Sequence, residues 1–193
     1  STHQKGGVGK STLYFNLANN ISKEAKVCII DFDPQGSLSQ LNHMVNNFDI
    51  LPYDDNINEI ENLEYDFIFI DTPPYLSENL PHLIQIATLI LVPTKAGILD
   101  LLAIKSTLDI IKKENSKEKT LIVFNMVKPN TNLTEEIVNG MEDYQIPIAK
   151  TFISDLVSFT RSVLVGNIND NSKAQNQLDN LTEEILTKIV QEN

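Results

Sequence analysis

The sequence predicts an α/β fold, a doubly wound and mostly parallel sheet with helices on both faces. Three observations predict it. First, the runs 26–31, 66–71, 88–93 and 120–125 are short, β-branched and almost wholly apolar. A strand with one wet face alternates apolar and polar residues. These runs do not, so both faces are buried, as in a parallel sheet covered by helices. Second, amphipathic helical patterns fall between and after the runs, and strand–helix alternation with right-handed crossovers gives the doubly wound class. Third, a glycine-rich segment leads directly into the first helical pattern.

Taken in order, the chain opens with Gln4-Lys5-Gly6-Gly7-Val8-Gly9-Lys10-Ser11-Thr12, and Leu13, Leu17, Ala18 and Ile21 then line one helix face. Such a loop should leave the end of a central strand, so upstream strand residues are expected before Ser1. The run 26–31 closes on Asp31-Phe32-Asp33-Pro34-Gln35-Gly36. The stretch 38–63 is rich in Asn and Asp and carries no clear pattern; the Asn-rich pieces 46–58 and 167–180 read as loops with polar caps. The run 66–71 closes on Asp71-Thr72-Pro73-Pro74. After 88–93, Leu101, Ile104, Leu108 and Ile111 form a helical stripe opposite Lys105, Asp109 and Lys112. The run 120–125 ends at Asn125, and 147–153 is a weaker strand candidate. Leu178, Leu181, Ile185 and Ile189 make a last amphipathic stripe. With 193 residues and no repeat or linker, 1–193 is expected to be one domain.

Composition narrows the function. Lys plus Arg is 15 against 26 Asp plus Glu, a net charge of −11, which does not describe a histone-like nucleic-acid binder. One cysteine, Cys28, excludes an internal disulfide framework or a cluster held by several thiolates of one chain, and its apolar run makes it a small buried hydrophobe. No apolar run is long enough to span a membrane, and no charged-then-apolar leader opens the sequence, so the expected address is the cytoplasm. His3, His43 and His82 show no metal spacing, and Tyr53 and Tyr144 read as packing residues.

The segment 4–12 carries the chemistry. A phosphate needs inward backbone N–H groups, and glycines let the chain wrap closely around it. The helix that follows adds donors and positive dipole. Lys10 then reaches the β and γ phosphates, and Ser11 places a hydroxyl on Mg2+. Asp33 and Asp71 stand where a parallel strand ends and a ligand crevice opens. Asp71 fits the acidic group fixed beside Mg2+. Asp33-Pro34 and Asp71-Thr72 alone also fit ordinary turns; three such elements on successive strands favour a phosphate site.

On these residues the chain is identified as a member of the ParA/MinD superfamily of P-loop NTPases. Residues 5–12 resemble its deviant Walker A box, with Gln4 common before it. Asp33-Pro34-Gln35-Gly36 and Asp71-Thr72-Pro73-Pro74 resemble the switch I and switch II boxes of the ParA branch. The resemblance implies ATP and Mg2+ as cofactors. It implies nucleotide contacts from Lys5, Gly6, Gly7, Val8, Gly9, Lys10, Ser11 and Thr12, and metal-side roles for Ser11, Asp33 and Asp71. Lys5 matches the lysine that reaches across an ATP-bound dimer, Lys10 the ordinary P-loop lysine, and Asp33 the aspartate that helps position the attacking water. Asn125 is similar in position to an adenine-reading residue and equally fits a strand-ending turn.

The implied function is a weak ATPase and ATP-dependent dimerisation switch for DNA partition or cargo positioning, stimulated by a ParB-like partner. Non-specific DNA is a possible cargo surface. Two departures bear on this. The interval between Asp33 and Asp71 is shorter than in most relatives, and Arg161 is the only late arginine; Lys105, Lys112, Lys113, Lys117 and Lys119 could supply charge but fit a solvated helix face better. No helix-turn-helix pattern precedes the loop, so operator binding is not expected. Three rival readings fit less well. A MinD-like membrane ATPase needs a basic C-terminal helix, yet from Leu178 onward Lys188 is the sole basic residue. An iron–sulfur ATPase needs paired cysteines. A non-hydrolytic switch is opposed by the intact Lys10, Ser11, Asp33 and Asp71.

Overall fold

Asp31 and Asp71 sit side by side in the sheet, and the strands that bring them there organise the first half of the protein. The computed structural model describes residues 7–33, 36, 38–52, 57–73, 78–128, 137, 140, 141, 144–165, 168 and 171–192. The chain divides into two units, Ser1–Tyr75 with Val157–Leu178 and Leu76–Leu156 with Asp179–Asn193.

In the first unit α1 (Lys10–Ile21) is followed by β1 (Val27–Asp31), β2 (Asp49–Pro52) and β3 (Phe67–Asp71). The strands are parallel in the order β2-β1-β3, so β1 is flanked on both sides. Every residue of β1 is buried, as its unbroken apolar run demands. Its register sets Val27 beside Phe67 and Asp31 beside Asp71. Phe15, Ala18 and Ile21 of α1 pack with Val27 and Ile29 of β1, Phe48, and Ile50 of β2 in one apolar cluster. Helix α4 (Val157–Val165) packs against α1.

The second unit contains α2 (Leu80–Ile86), β4 (Ile90–Thr94), α3 (Ile98–Lys113) and β5 (Thr120–Phe124), with β4 and β5 parallel. Ile104, Leu108 and Ile111 turn the predicted stripe of α3 into the core beside Val92, Ile122 and Phe124. The last helix, α5 (Ser172–Glu192), has its first residues grouped with the first unit and the rest with the second. Glu184 on it accepts the backbone N–H groups of Lys150 at 2.6 Å and Thr151 at 3.1 Å.

Several expectations need correction. The Asn-rich piece 46–58 contains β2 and the start of a 3-10 turn, Ile57–Asn62. In β2 only Ile50 is buried and Pro52 ends the strand, so four residues leave no readable period. The piece 167–180 is not a loop throughout, because α5 starts at Ser172. The polar cap is there, as the Asn171 side chain accepts the Ala174 N–H at 3.0 Å. The candidate 147–153 is strand-like but discontinuous: it joins β5 through one parallel bridge, Ile122 to Ile148, and just beyond both segments Val127 bridges Ser154. Helices α2 and α4 were not anticipated. Helix α2 is short and starts with a proline in its first turn, and α4 is rich in β-branched residues that favour strands in isolation. Tyr144 packs on the second core, as expected; Tyr53 lies outside the described residues.

Candidate nucleotide site

The loop before α1 has the backbone its glycines allow. Gly7 has φ 96° and Gly9 φ 70°, both in the left-handed region where a side chain is strained. Gly9 is the N-cap of α1, with no side-chain cap and no acidic residue in the first turn, so no group of the helix itself offsets its positive end. Val8, Ser11 and Thr12 are half-buried there, and the Thr12 carbonyl accepts the Asn16 amide at 2.7 Å.

Two candidate side chains of this first turn meet β3. The Lys10 ammonium donates to Asp71 Oδ1 and to the Thr72 carbonyl, and the Ser11 hydroxyl donates to Asp71 Oδ2 at 2.5 Å. Asp71 is 2 % exposed and Lys10 21 %. A buried carboxylate costs much free energy unless paired, and here both oxygens are engaged. Beneath Lys10, four residues along α1, lies the Tyr14 ring, 5.9 Å from the ammonium. That ring meets Phe69 at 5.8 Å. Phe69 and Asp71 share one face of β3, and Lys10 and Tyr14 one face of α1, so each pair meets its counterpart. Burial, and then the Asp71 charge, push the Tyr14 hydroxyl well above its ordinary range, so it stays protonated.

Asp33 follows two residues after the register partner of Asp71, and the Phe32 N–H donates to the Asp71 carbonyl at 2.9 Å. The Asp33 N–H is held by the Asp31 carboxylate at 3.1 Å, and its carbonyl accepts the Gly36 N–H at 2.7 Å. The fold therefore brings Gly7, Val8, Gly9, Lys10, Ser11, Thr12 and Asp71 to one end of α1 and β3, with Asp33 on the adjoining strand end. Asn125 belongs to the second unit, buried at the end of β5, where its N–H donates to the Thr94 carbonyl at 2.8 Å. Lys5, Gly6, Pro34, Gln35 and Pro74 lie outside the described residues. Sequence reasoning missed Asp31, the Thr72 carbonyl and Tyr14. One bond of Asp31, that to the Asp33 N–H, was legible in principle, because Asp-x-Asp at a strand end invites an i to i+2 side-chain bond.

A family model, the CobQ/CobB/MinD/ParA nucleotide binding domain, matches residues 2–169. The chain belongs to this family. Among similar ParA/MinD proteins is the maintenance of carboxysome distribution protein A of Halothiobacillus neapolitanus, 28 % identical over 179 residues, covering 84 % of this chain and 81 % of that protein. A Borrelia burgdorferi B31 protein assigned to plasmid partition and bound to AMPPNP has a similar structure, with TM-score 0.72, 21 % identity and 95 % of each chain covered. MinD of Aquifex aeolicus, solved in a MinC:MinD cell division complex, has TM-score 0.76 at 16 % identity, covering 95 % of this chain and 93 % of that one. These likenesses establish the P-loop NTPase fold that the strand pattern predicts: parallel strands flanked by helices. The family is nucleotide-binding. Among the described residues no helix is long and apolar enough to cross a membrane.

Proposed function

We propose that this chain is an ATP-driven positioning protein. It binds Mg2+ and ATP at residues 5–12, dimerises in the ATP state and hydrolyses ATP slowly, and a ParB-like partner protein stimulates that hydrolysis. The observation that carries the reading is the meeting of Lys10 and Ser11 with Asp71 at the uncapped start of α1. An ammonium, a hydroxyl and a carboxylate gathered there are the groups that a magnesium nucleotide requires.

The roles follow from the chemistry of each group. Lys10 exchanges the Asp71 carboxylate for phosphate oxygens. Ser11 would supply a hydroxyl oxygen to Mg2+, Asp71 would hold the ion through water, and Asp33 stands on the metal side and orients the attacking water. Bound Mg2+ neutralises phosphate charge. Gly7, Val8, Gly9 and Thr12 line the phosphates, with Gly6 and Lys5 before them. Lys5 crosses to the phosphates of the second copy, and Asn125 reads adenine.

The similarity to proteins named for carboxysome distribution and plasmid partition supports a positioned cargo, DNA or otherwise. Lys105, Lys112 and Lys113 are exposed on α3 and suit a non-specific DNA contact. Lys119 does not suit one. Its ammonium donates to the Gln85 and Ala87 carbonyls at 2.9 and 2.8 Å, at the end of α2, and burial lowers its pKa.

Titration calorimetry with Mg2+ and ATP tests the site. Lys10→Ala is expected to weaken binding by about a hundred-fold or more. Asp33→Ala is expected to bind and dimerise with ATP yet fail to turn it over. Unchanged affinity in Lys10→Ala would overturn the site, and normal hydrolysis by Asp33→Ala would remove Asp33 from the reaction.

A further inference from the structure

We propose that Asp31 is the residue that positions Asp33, its buried carboxylate tying the Asp33 backbone to Leu38 and Ser39. The proposal deepens the nucleotide-site reading above and rests on it. Asp31 is 4 % exposed. Its Oδ1 accepts the Asp33 N–H at 3.1 Å. Its Oδ2 accepts the Leu38 N–H at 3.0 Å, the Ser39 N–H at 2.9 Å and the Ser39 hydroxyl at 3.1 Å. A carboxylate withdrawn from water needs its lone pairs filled, and this one fills them from both ends of a single loop.

The two oxygens have different tasks. Oδ2 anchors the far end, where the 3-10 turn Ser39–Met44 begins. Oδ1 anchors the near end through an i to i+2 bond, the Asx-turn geometry. The backbone of Asp31 is itself fixed, because β1 pairs with Pro52 of β2 on one side and Asp71 of β3 on the other at that level. The place of Asp33 is thus referred, through Asp31, to the strand that carries the proposed metal-side carboxylate. Small misplacements matter for a group that must hold water in line with a leaving phosphate.

Asparagine separates the two tasks. An amide has one oxygen and one NH2 group. With its oxygen toward Leu38 and Ser39, it keeps three bonds and sets NH2 against the Asp33 N–H, donor against donor. The reverse orientation keeps the Asp33 bond and, with the Ser39 hydroxyl turned to accept, at most one more, so the first wins. Asp31→Asn therefore cuts the tie to Asp33 and spares the rest of the loop.

The experiment compares wild type, Asp31→Asn, Ser39→Ala and Lys10→Ala by ATP affinity, basal hydrolysis at saturating ATP and Mg2+, and thermal melting. Asp31→Asn should keep its ATP Kd within about two-fold and lose about ten-fold or more in kcat. Ser39→Ala, which spares the Asp33 bond, should stay within about two-fold of wild type in kcat. Wild-type kcat in Asp31→Asn overturns the proposal. So does an equal fall in Ser39→Ala, since that would mean any loosening of the loop suffices. If Asp31→Asn does not fold, hydrogen exchange on wild type decides. The Asp33, Leu38 and Ser39 amides should exchange about a hundred-fold or more slower than in an unfolded peptide, and free exchange at Asp33 overturns the proposal. Lys10→Ala keeps the two readings apart. If it binds ATP normally, the nucleotide site falls; if it loses ATP while Asp31→Asn hydrolyses normally, only the role of Asp31 falls.

Discussion

Lys10 and Asp71 satisfy each other, which is how two opposite charges tolerate being partly buried. The same burial acts on uncharged neighbours. Cys28 is fully enclosed in β1, and burial, with the Asp49 charge as a smaller cause, pushes its thiol up to about 12, while Lys26 opposes the shift. The thiol is thus protonated and shielded, and a thiol reagent should label it only after unfolding. The sign of the pH effect follows from linkage. Above about pH 8.5 the unfolded chain releases the Cys28 proton and the folded chain does not, so the unfolded state binds fewer protons and stability falls as pH rises. The stability is present in full below that pH and is lost progressively toward pH 12. Between these limits wild type should lose up to about 1.4 kcal/mol per pH unit more than Cys28→Val. Melting temperatures of the two proteins from pH 8 to 10.5 measure the difference, and parallel curves would show that Cys28 does not ionise differentially.

At the scale of elements, helix α3 shows what periodicity does and does not reveal. Its stripe was legible because Ile104, Leu108 and Ile111 recur at helical spacing, and all three are buried. The same helix exposes Ile98, Leu99 and Leu102 in its first turns, which no spacing rule distinguishes from core residues. Leu108 is 1 % exposed and Leu99 80 %, so the two leucines make a controlled pair. Leu108→Ala should cost about 3 kcal/mol through lost burial and the cavity left behind. Leu99→Ala should stay within about 0.5 kcal/mol. Urea unfolding of both variants checks this, and equal losses would mean that Leu99 is covered in solution. The same contrast explains the strands. Strands β1, β3, β4 and β5 were legible as near-continuous apolar runs, but the burial on both faces that such runs announce is complete in β1 and β5 alone of these four; β3 is half-buried up to Asp71 and β4 over Ile90 and Leu91. Strand β2 was not legible, since one buried residue in four leaves no pattern. In the site, Lys10, Ser11 and Asp71 were legible from local motifs. The hub at Asp31 was not, because three of its donors come from Leu38 and Ser39, which only the folded loop returns to the strand end.

For the whole molecule, the proposed switch makes a demand that one chain cannot meet. If Lys5 completes the phosphate site of a second copy, the ATP-bound protein must be a dimer, and the energy of that association must depend on the nucleotide. A ligand shifts an equilibrium only by its differential affinity for the two states, so ADP, lacking the γ-phosphate, should favour the dimer less. The net charge of −11 opposes self-association at low salt, which sharpens the test: dimerisation has to overcome like-charge repulsion through specific contacts. Light scattering with Mg2+ at low salt should therefore give a monomer with ADP and a dimer with ATP, and Lys5→Ala should remain a monomer with both. Adding non-specific duplex DNA separates the cargo question from the switch. A dimer that moves onto DNA, and leaves it when Lys105, Lys112 and Lys113 are changed together to Gln, would place the DNA contact on the exposed face of α3. A dimer that ignores DNA would retain the switch and locate the cargo surface on another face. A monomer under every condition would end the cross-subunit role of Lys5 and leave the proposed nucleotide site at Lys10, Ser11 and Asp71 to act within one chain.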